Sequence, residues 1–343
     1  MAVHRRGYMS SKIRPGLSRR SFLKVAGGIA IGSRIGITGQ AHARSDSAYA
    51  TLIDLSLCDG CPDRDTPACV AACRLEKTGN VPDPVDPIPE LFPRGMIEDW
   101  SSKKEVRNRL TPYNLTFVQT AEVEHQGRNY SLHIPRRCMH CDNPACATIC
   151  PFSANHKYQT GAVVIDKDLC FGGAKCRTVC PWAIPQRQSG IGIYLHLAPT
   201  LAGNGVMFKC DLCQDRLIQG REPACIEACP QKALLIGPKD EIHAEAHARR
   251  ERMNGYIYGE QENGGTATLY VSGVPFDKLN AAIEKGPGKP HLQEVQRSMA
   301  DTDSLGRTVL LTPLVGLAAG IAAVKSSLSK KGEEPKRRDK GDE

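Results

Sequence analysis

Fifteen cysteines gathered into four short runs constrain this 343-residue chain more than any other feature. The runs read Cys58-x2-Cys61-x7-Cys69-x3-Cys73, Cys138-x2-Cys141-x4-Cys146-x3-Cys150, Cys170-x5-Cys176-x3-Cys180 and Cys210-x2-Cys213-x11-Cys225-x3-Cys229. Four thiols in every run would make sixteen, and Gly173 stands where the third run lacks one. Loops this dense in cysteine hold little apolar material, so cross-links or bound metal must supply part of the folding free energy.

Four chemistries compete for such runs. Zinc ribbons also use Cys-x2-Cys pairs, but they draw four ligands per metal from two pairs rather than compressing four thiolates into one loop. Disulfides suit an exported chain, yet an odd number of cysteines in tight runs makes a poor staple pattern. A c-type haem requires Cys-x2-Cys-His, and here Cys61, Cys141 and Cys213 are followed by Pro62, Asp142 and Gln214, which excludes it. The fourth chemistry fits best. Close thiolates, one further Cys three residues on, and Pro151, Pro181 and Pro230 after three of the final cysteines match the bacterial ferredoxin pattern of iron–sulfur ligands. In that pattern the last Cys of a run serves the other cluster of a pair.

Internal repetition points the same way. Ile53-Asp54-Leu55-Ser56-Leu57-Cys58 recurs as Ile165-Asp166-Lys167-Asp168-Leu169-Cys170, each closing a short β-like run that delivers the chain into a cysteine loop. Pro-Ala-Cys followed by x3-Cys occurs at Pro67, Pro144 and Pro223. The expected fold is α+β: two ferredoxin-like modules with interleaved cysteine motifs, loop insertions and a single C-terminal membrane helix.

The ends of the chain read as targeting segments. Residues 1–43 carry eight Lys/Arg and no acid, which accounts for the whole net charge of +8. The remainder is near neutral and gives no basic surface on which to propose nucleic acid as a partner. Ser18-Arg19-Arg20-Ser21-Phe22-Leu23-Lys24, an apolar stretch from Val25 to Gly39, and Ala41-His42-Ala43 read as a twin-arginine export signal cleaved after Ala43. Near the other end, Thr308 to Val324 is uncharged and apolar between Arg307 and Lys325, at the short limit for a membrane span. The same stretch also suits a helix packed on the modules or on a partner. Behind it, Lys325, Lys330, Lys331, Lys336, Arg337, Arg338 and Lys340 form a tail expected to stay cytoplasmic under the positive-inside rule.

Between the runs, Gly79 to Gly95 is a proline-rich loop whose insert continues through polar sequence to about Arg136, and Gln186 to Val206 is a second insert. Each is read as partner-contact surface or as decoration. Ile242 to Arg252, rich in Ala, Glu and Arg, reads as a helix, and Ala267 to Ser272 as a strand. His140, the histidine inside a run, reads as a hydrogen-bonding neighbour because the thiolates around it complete a ligand set. No dinucleotide fingerprint, phosphate loop or nucleophile elbow is present, so no catalytic residues are assigned.

Cys138-Met-His-Cys-Asp-Asn-Pro-Ala-Cys146 and Lys209-Cys-Asp-Leu-Cys-Gln-Asp-Arg216 resemble the second and fourth motifs of the four-cluster ferredoxin-type subunits of molybdopterin oxidoreductases and membrane hydrogenases. The resemblance covers nearly the whole chain. Within that family, the twin-arginine signal, the Gly264-Gly265-Thr266 strand block with Val274-Pro275, and the C-terminal anchor resemble the HybA-type subunit of periplasmic nickel–iron hydrogenases. By the family's pairing, one [4Fe-4S] cluster would sit on Cys58, Cys61, Cys69 and Cys229, a second on Cys73, Cys210, Cys213 and Cys225, and a third on Cys138, Cys141, Cys146 and Cys180. Cys150, Cys170 and Cys176, with Gly173 at the missing position, would hold a [3Fe-4S] cluster, as relatives without that cysteine do. Two departures stand out: the Pro62–Ala68 insertion in the first run, and Arg74 in place of the usual proline after Cys73.

The resemblance implies an inner-membrane subunit on the periplasmic side, without an active site of its own. It would relay electrons between a [NiFe] hydrogenase catalytic dimer and an integral, quinone-reactive membrane subunit. The alternative is the β subunit of a formate dehydrogenase or other molybdopterin enzyme. The expected organisation is a signal over 1–43, and the first half of module A with its insert over 44–137. Module B follows over 138–185, then an insert and the second half of module A over 186–240. An extension over 241–306, a membrane helix over 307–325 and a basic tail over 326–343 complete the chain.

Overall fold

The structure, a computed structural model, describes residues 48–77, 79–91, 96–201 and 203–300. The export signal and the membrane helix expected from the sequence lie outside those residues. Among the described residues no helix is long and apolar enough to cross a membrane.

In chain order the elements are β1 (Tyr49–Asp54), α1 (Ala68–Glu76), β2 (Phe117–His125), β3 (Arg128–Arg136), α2 (Ala145–Thr148), β4 (Asn155–Lys157), β5 (Val163–Ile165), α3 (Lys175–Thr178), β6 (Gln186–Gln188) and α4 (Tyr194–Leu197). They continue with β7 (Val206–Phe208), α5 (Gln214–Ile218), α6 (Ala224–Glu227), β8 (Leu234–Pro238), α7 (Lys239–Met253), β9 (Tyr256–Tyr258), β10 (Thr268–Ser272) and α8 (Phe276–Ala282). The mixture of helix and strand is the expected α+β class.

A four-stranded sheet of order β8-β1-β10-β9 frames the molecule. β1 runs antiparallel to β8, with Ile53 opposite Leu234, and parallel to β10, with Thr51 opposite Thr268. Alternation along the strands sorts their side chains. Ala50, Leu52, Leu269 and Val271 point to α7, where Ile242 and Ala246 close a small apolar cluster. Ile53 and Tyr270 point the other way, into the main core among the cysteines. Within the expected extension, residues 256–272 contribute β9 and β10 and complete this sheet. Farther on, His291 Nε2 lies 2.9 Å from the carbonyl of Pro181, and Tyr258 Oη donates to Gln293 O at 2.8 Å.

The polar stretch before Arg136 departs from the loop expected there. It forms a hairpin of two nine-residue strands, β2 and β3, turned by Gln126-Gly127 at φ of 51° and 71°. Two left-handed residues in a two-residue loop match the twist of paired strands. Phe117, Ala121, Leu132 and Ile134 bury one face of its inner half. Two further hairpins, β4 with β5 and β6 with β7, carry the third and fourth runs into place.

Candidate iron–sulfur centres

Three of the cysteine helices start alike. Pro67, Pro144 and Pro223 each occupy the position before α1, α2 and α6 in an extended conformation, and the Ala-Cys that follows opens the helix. A proline there locks the approach of the chain and lacks only an N–H that the helix would leave unpaired. The repeated Pro-Ala-Cys triplet is thus one local structure used three times. The Ile-Asp repeat is another: Asp54 Oδ1 accepts the N–H of Ser56, and Asp166 Oδ1 that of Asp168, both at 2.9 Å.

All fifteen cysteines carry free thiols. The structure brings them together in four sets, two drawn from the first and fourth runs and two from the second and third. Cys69 stands among Cys58, Cys61 and Cys229, with Cys225 of the second set also beside it, and Cys58, Cys61, Cys69 and Cys229 line one pocket with Gly60, Pro67 and Val118. Cys73, at the end of α1, stands among Cys210, Cys213 and Cys225. Cys180 stands among Cys138, Cys141 and Cys146. Cys170 lies near both Cys150 and Cys176, and Cys176 also faces Cys146 of the third set. The exchange of Cys73 and Cys229 follows from packing, since α1 and α6 lie side by side. Arg216 joins them, donating to Glu76 at 2.9 Å and to Glu227.

One feature common to the runs escaped the sequence reading. Two residues beyond the first Cys of each run, the backbone is left-handed: Gly60 at φ 72°, His140 at 49°, Gly172 at 69° and Leu212 at 56°. In each run that residue's N–H turns back on the first thiol, of Cys58, Cys138, Cys170 and Cys210 respectively. For Leu212 the distance to Cys210 Sγ is 3.4 Å. Left-handed residues in a tight loop make a concave group of amides that suits anionic sulfur. Glycine would signal this position, but histidine and leucine carry it in two of the four runs. His140 is held in the loop as expected, its buried Nδ1 accepting the N–H of Val163 at 3.0 Å.

Electrostatics show what the sets lack. Burial pushes the Cys58 thiol up to about 11 and those of Cys141, Cys176 and Cys213 up to about 12. Burial also raises Cys73, Cys138, Cys180, Cys210 and Cys225. Such thiols stay neutral at physiological pH and lose their protons only to a cationic centre among them. Among the described residues no three of His, Cys, Asp or Glu are close enough to hold a metal ion between them. The first set instead lines one common pocket, and a donor set of soft thiolates suits an iron–sulfur core. At the fourth set, a Cβ built on Gly173 meets nothing within 4 Å.

The inserts prove to be internal straps. Glu98 accepts from Arg177 of α3 at 2.8 and 2.7 Å and from Arg187 at 2.6 Å. Trp100 N–H donates to Gln188 Oε1 at 2.9 Å, and Ser189 Oγ accepts the N–H of Glu98 at 2.9 Å. The proline-rich insert is therefore tied across the second insert, beside the third run.

Comparison with known proteins now places this geometry. Residues 57–154 and residues 130–239 each match a 4Fe-4S dicluster domain. The hydrogenase-2 operon protein HybA of Escherichia coli O157:H7 is 30% identical over 307 residues, covering 77% of this chain and 83% of that one. The iron–sulfur subunit of the nitrate-inducible formate dehydrogenase of Escherichia coli K12 is 30% identical over 275 residues, covering 74% and 83%. A subunit of the anaerobic dimethyl sulfoxide reductase of the same organism is 32% identical over 198 residues, covering 57% and 75%.

Proposed function

We propose an electron-relay function for this chain, which belongs to the 4Fe-4S dicluster family. The observation that carries it is the gathering of fifteen free thiols into four interleaved sets. Iron–sulfur clusters bound there supply one-electron transfer. The chain's own residues hold them: Cys58, Cys61, Cys69 and Cys229 in the first site, Cys73, Cys210, Cys213 and Cys225 in the second, and Cys138, Cys141, Cys146 and Cys180 in the third. Those three sites take [4Fe-4S] clusters, and Cys150, Cys170 and Cys176 take a [3Fe-4S] cluster. The left-handed amides orient the first thiolate of each run, and the buried core excludes water from the second site, whose four cysteines are all buried.

The relay joins a catalytic oxidoreductase to a quinone-reactive membrane subunit, on the periplasmic face of the inner membrane. Export by the twin-arginine signal and anchoring by residues 308–324 belong to this proposal. Nickel–iron hydrogenase is the catalytic partner in our first reading, supported by the likeness to HybA over 83% of that protein's length. A second reading, the equivalent subunit of a formate dehydrogenase or another molybdopterin enzyme, is supported by equal coverage of the formate dehydrogenase subunit and by the glycine at position 173.

Anaerobic purification from membranes tests both. About 15 iron atoms per chain with matching labile sulfide are expected from three four-iron and one three-iron centre. A preparation rich in zinc without sulfide sinks the relay. Co-purifying nickel selects the first reading and molybdenum the second.

A further inference from the structure

Two cations lie buried between the second and third cysteine sets, and each sits across from its own run. Arg137 directly precedes Cys138 of the third set and is 2% exposed, yet its guanidinium lies against Cys210 and Cys225 of the second. Lys209 directly precedes Cys210 of the second set and is 7% exposed, yet its ammonium faces Cys138 and Cys146 of the third. The arrangement is reciprocal.

Neither cation has found an ordinary counterion. Arg137 Nη2 donates to Thr51 Oγ1 at 2.8 Å, while Nε and Nη1 are buried without a partner. Lys209 Nζ donates to backbone carbonyls, of Val163 and, at 3.4 Å, of Cys210. Asp211, the acid next in the chain, is taken by Lys77 at 2.7 Å. Buried charge left uncompensated is strongly destabilising, and donors without acceptors add to the penalty. Both costs vanish if anionic thiolate-ligated centres occupy the two sets, so the cations belong to those centres. The first set differs. The charged neighbour at Cys58 is Asp59, an acid.

We propose that Arg137 and Lys209 act as crossed potential-setting cations, Arg137 raising the reduction potential of the second cluster and Lys209 that of the third. The inference rests on the reading that the sets hold iron–sulfur clusters. One-electron reduction adds a negative charge to a cluster, and a fixed cation beside it stabilises the reduced form over the oxidised one. Low dielectric around the two buried side chains makes that effect large. Arginine keeps its charge at any working pH, which makes it a constant term in the second site. The second and third clusters therefore hold an electron more readily than the first.

The test is a potentiometric titration of the anaerobically purified full chain, read by electron paramagnetic resonance beside iron and sulfide assays. Arg137→Gln should lower the reduction constant of one cluster by on the order of tenfold, about 59 mV for one electron. Arg137→Lys, which keeps the charge, should lower it far less. Lys209→Gln should lower a different cluster by a similar factor. Unmoved potentials in variants with wild-type iron content overturn the proposal, and so does an equal fall in Arg137→Lys. If neither glutamine variant loads iron while wild type does, the cations serve assembly alone and the proposal also fails. A wild type without iron and labile sulfide sinks instead the cluster reading beneath it.

Discussion

In the proposed cluster assignment, Gly173 is the residue at which a single side chain sets the cofactor type. The open space around its Cβ position leaves room for a thiol without backbone movement. Gly173→Cys should abolish the three-iron resonance of the oxidised protein and add about one iron per chain; a wild type that never shows this resonance removes the three-iron assignment. At Gly60 the opposite holds, since φ is 72° and a Cβ would come within 2.6 Å of the His133 ring. Gly60→Ala should cost about 1–3 kcal/mol and lower the iron occupancy of the first site. Gly127→Ala, at a similar φ of 71° with nothing within 4 Å, isolates the conformational part and should cost about 1 kcal/mol. Thermal unfolding of the two variants measures the difference. The ligand thiols were legible because cysteine carries the chemistry itself. His140 and Leu212 were not, because leucine rarely adopts the left-handed backbone and a single histidine, though more tolerant of it, does not mark the position as glycine would.

Among the elements, the strap through Glu98 is the most consequential one that sequence reading left as surface or decoration. Its carboxylate spans Arg177 of α3 and Arg187 of β6, so it fixes the third run against the second insert. Glu98→Gln should remove about 2 kcal/mol and speed hydrogen exchange through α3, with little change at α7. Burial works against this carboxylate, but hydrogen bonds and charge from Arg177 and Arg187 hold it below the usual carboxylate range. Its contribution is therefore complete above the unfolded-state value, about 4.3, and is lost as the pH falls through the folded one. The stability gap between wild type and Glu98→Gln should accordingly narrow on acidification; a gap that stays constant from pH 7 into acid would contradict the assignment. The β2–β3 hairpin hid for a different reason. Its outer half alternates polar residues in solvent, and Gln126-Gly127 is a weaker turn signal than Asn-Gly. Helix α7 was readable from Ala, Glu and Arg propensity alone, because only Ile242 and Ala246 are buried along it.

At the scale of the whole molecule, the cysteine sets are the joints between otherwise separate hairpins, and much of the buried surface meets there. Anaerobic chelation of iron should lower the unfolding temperature and open the α1–α6 contact first, because that contact carries ligands of two sites at once. Circular dichroism after chelation checks it, and an unchanged melting curve would assign the stability to the apolar core. The α+β class and the iron–sulfur character could be read ahead because the thiol runs record them, whereas the way residues 256–272 close the frame could not, because strand partners far apart in sequence leave no local mark. That closure has a temporal side. β1 is made early, but its parallel neighbour β10 begins only at Thr268, so at ribosomal speed the strand waits roughly ten to forty seconds for its second partner. A chain stopped short of that point leaves a bare strand edge, a template on which another chain's strand can pair.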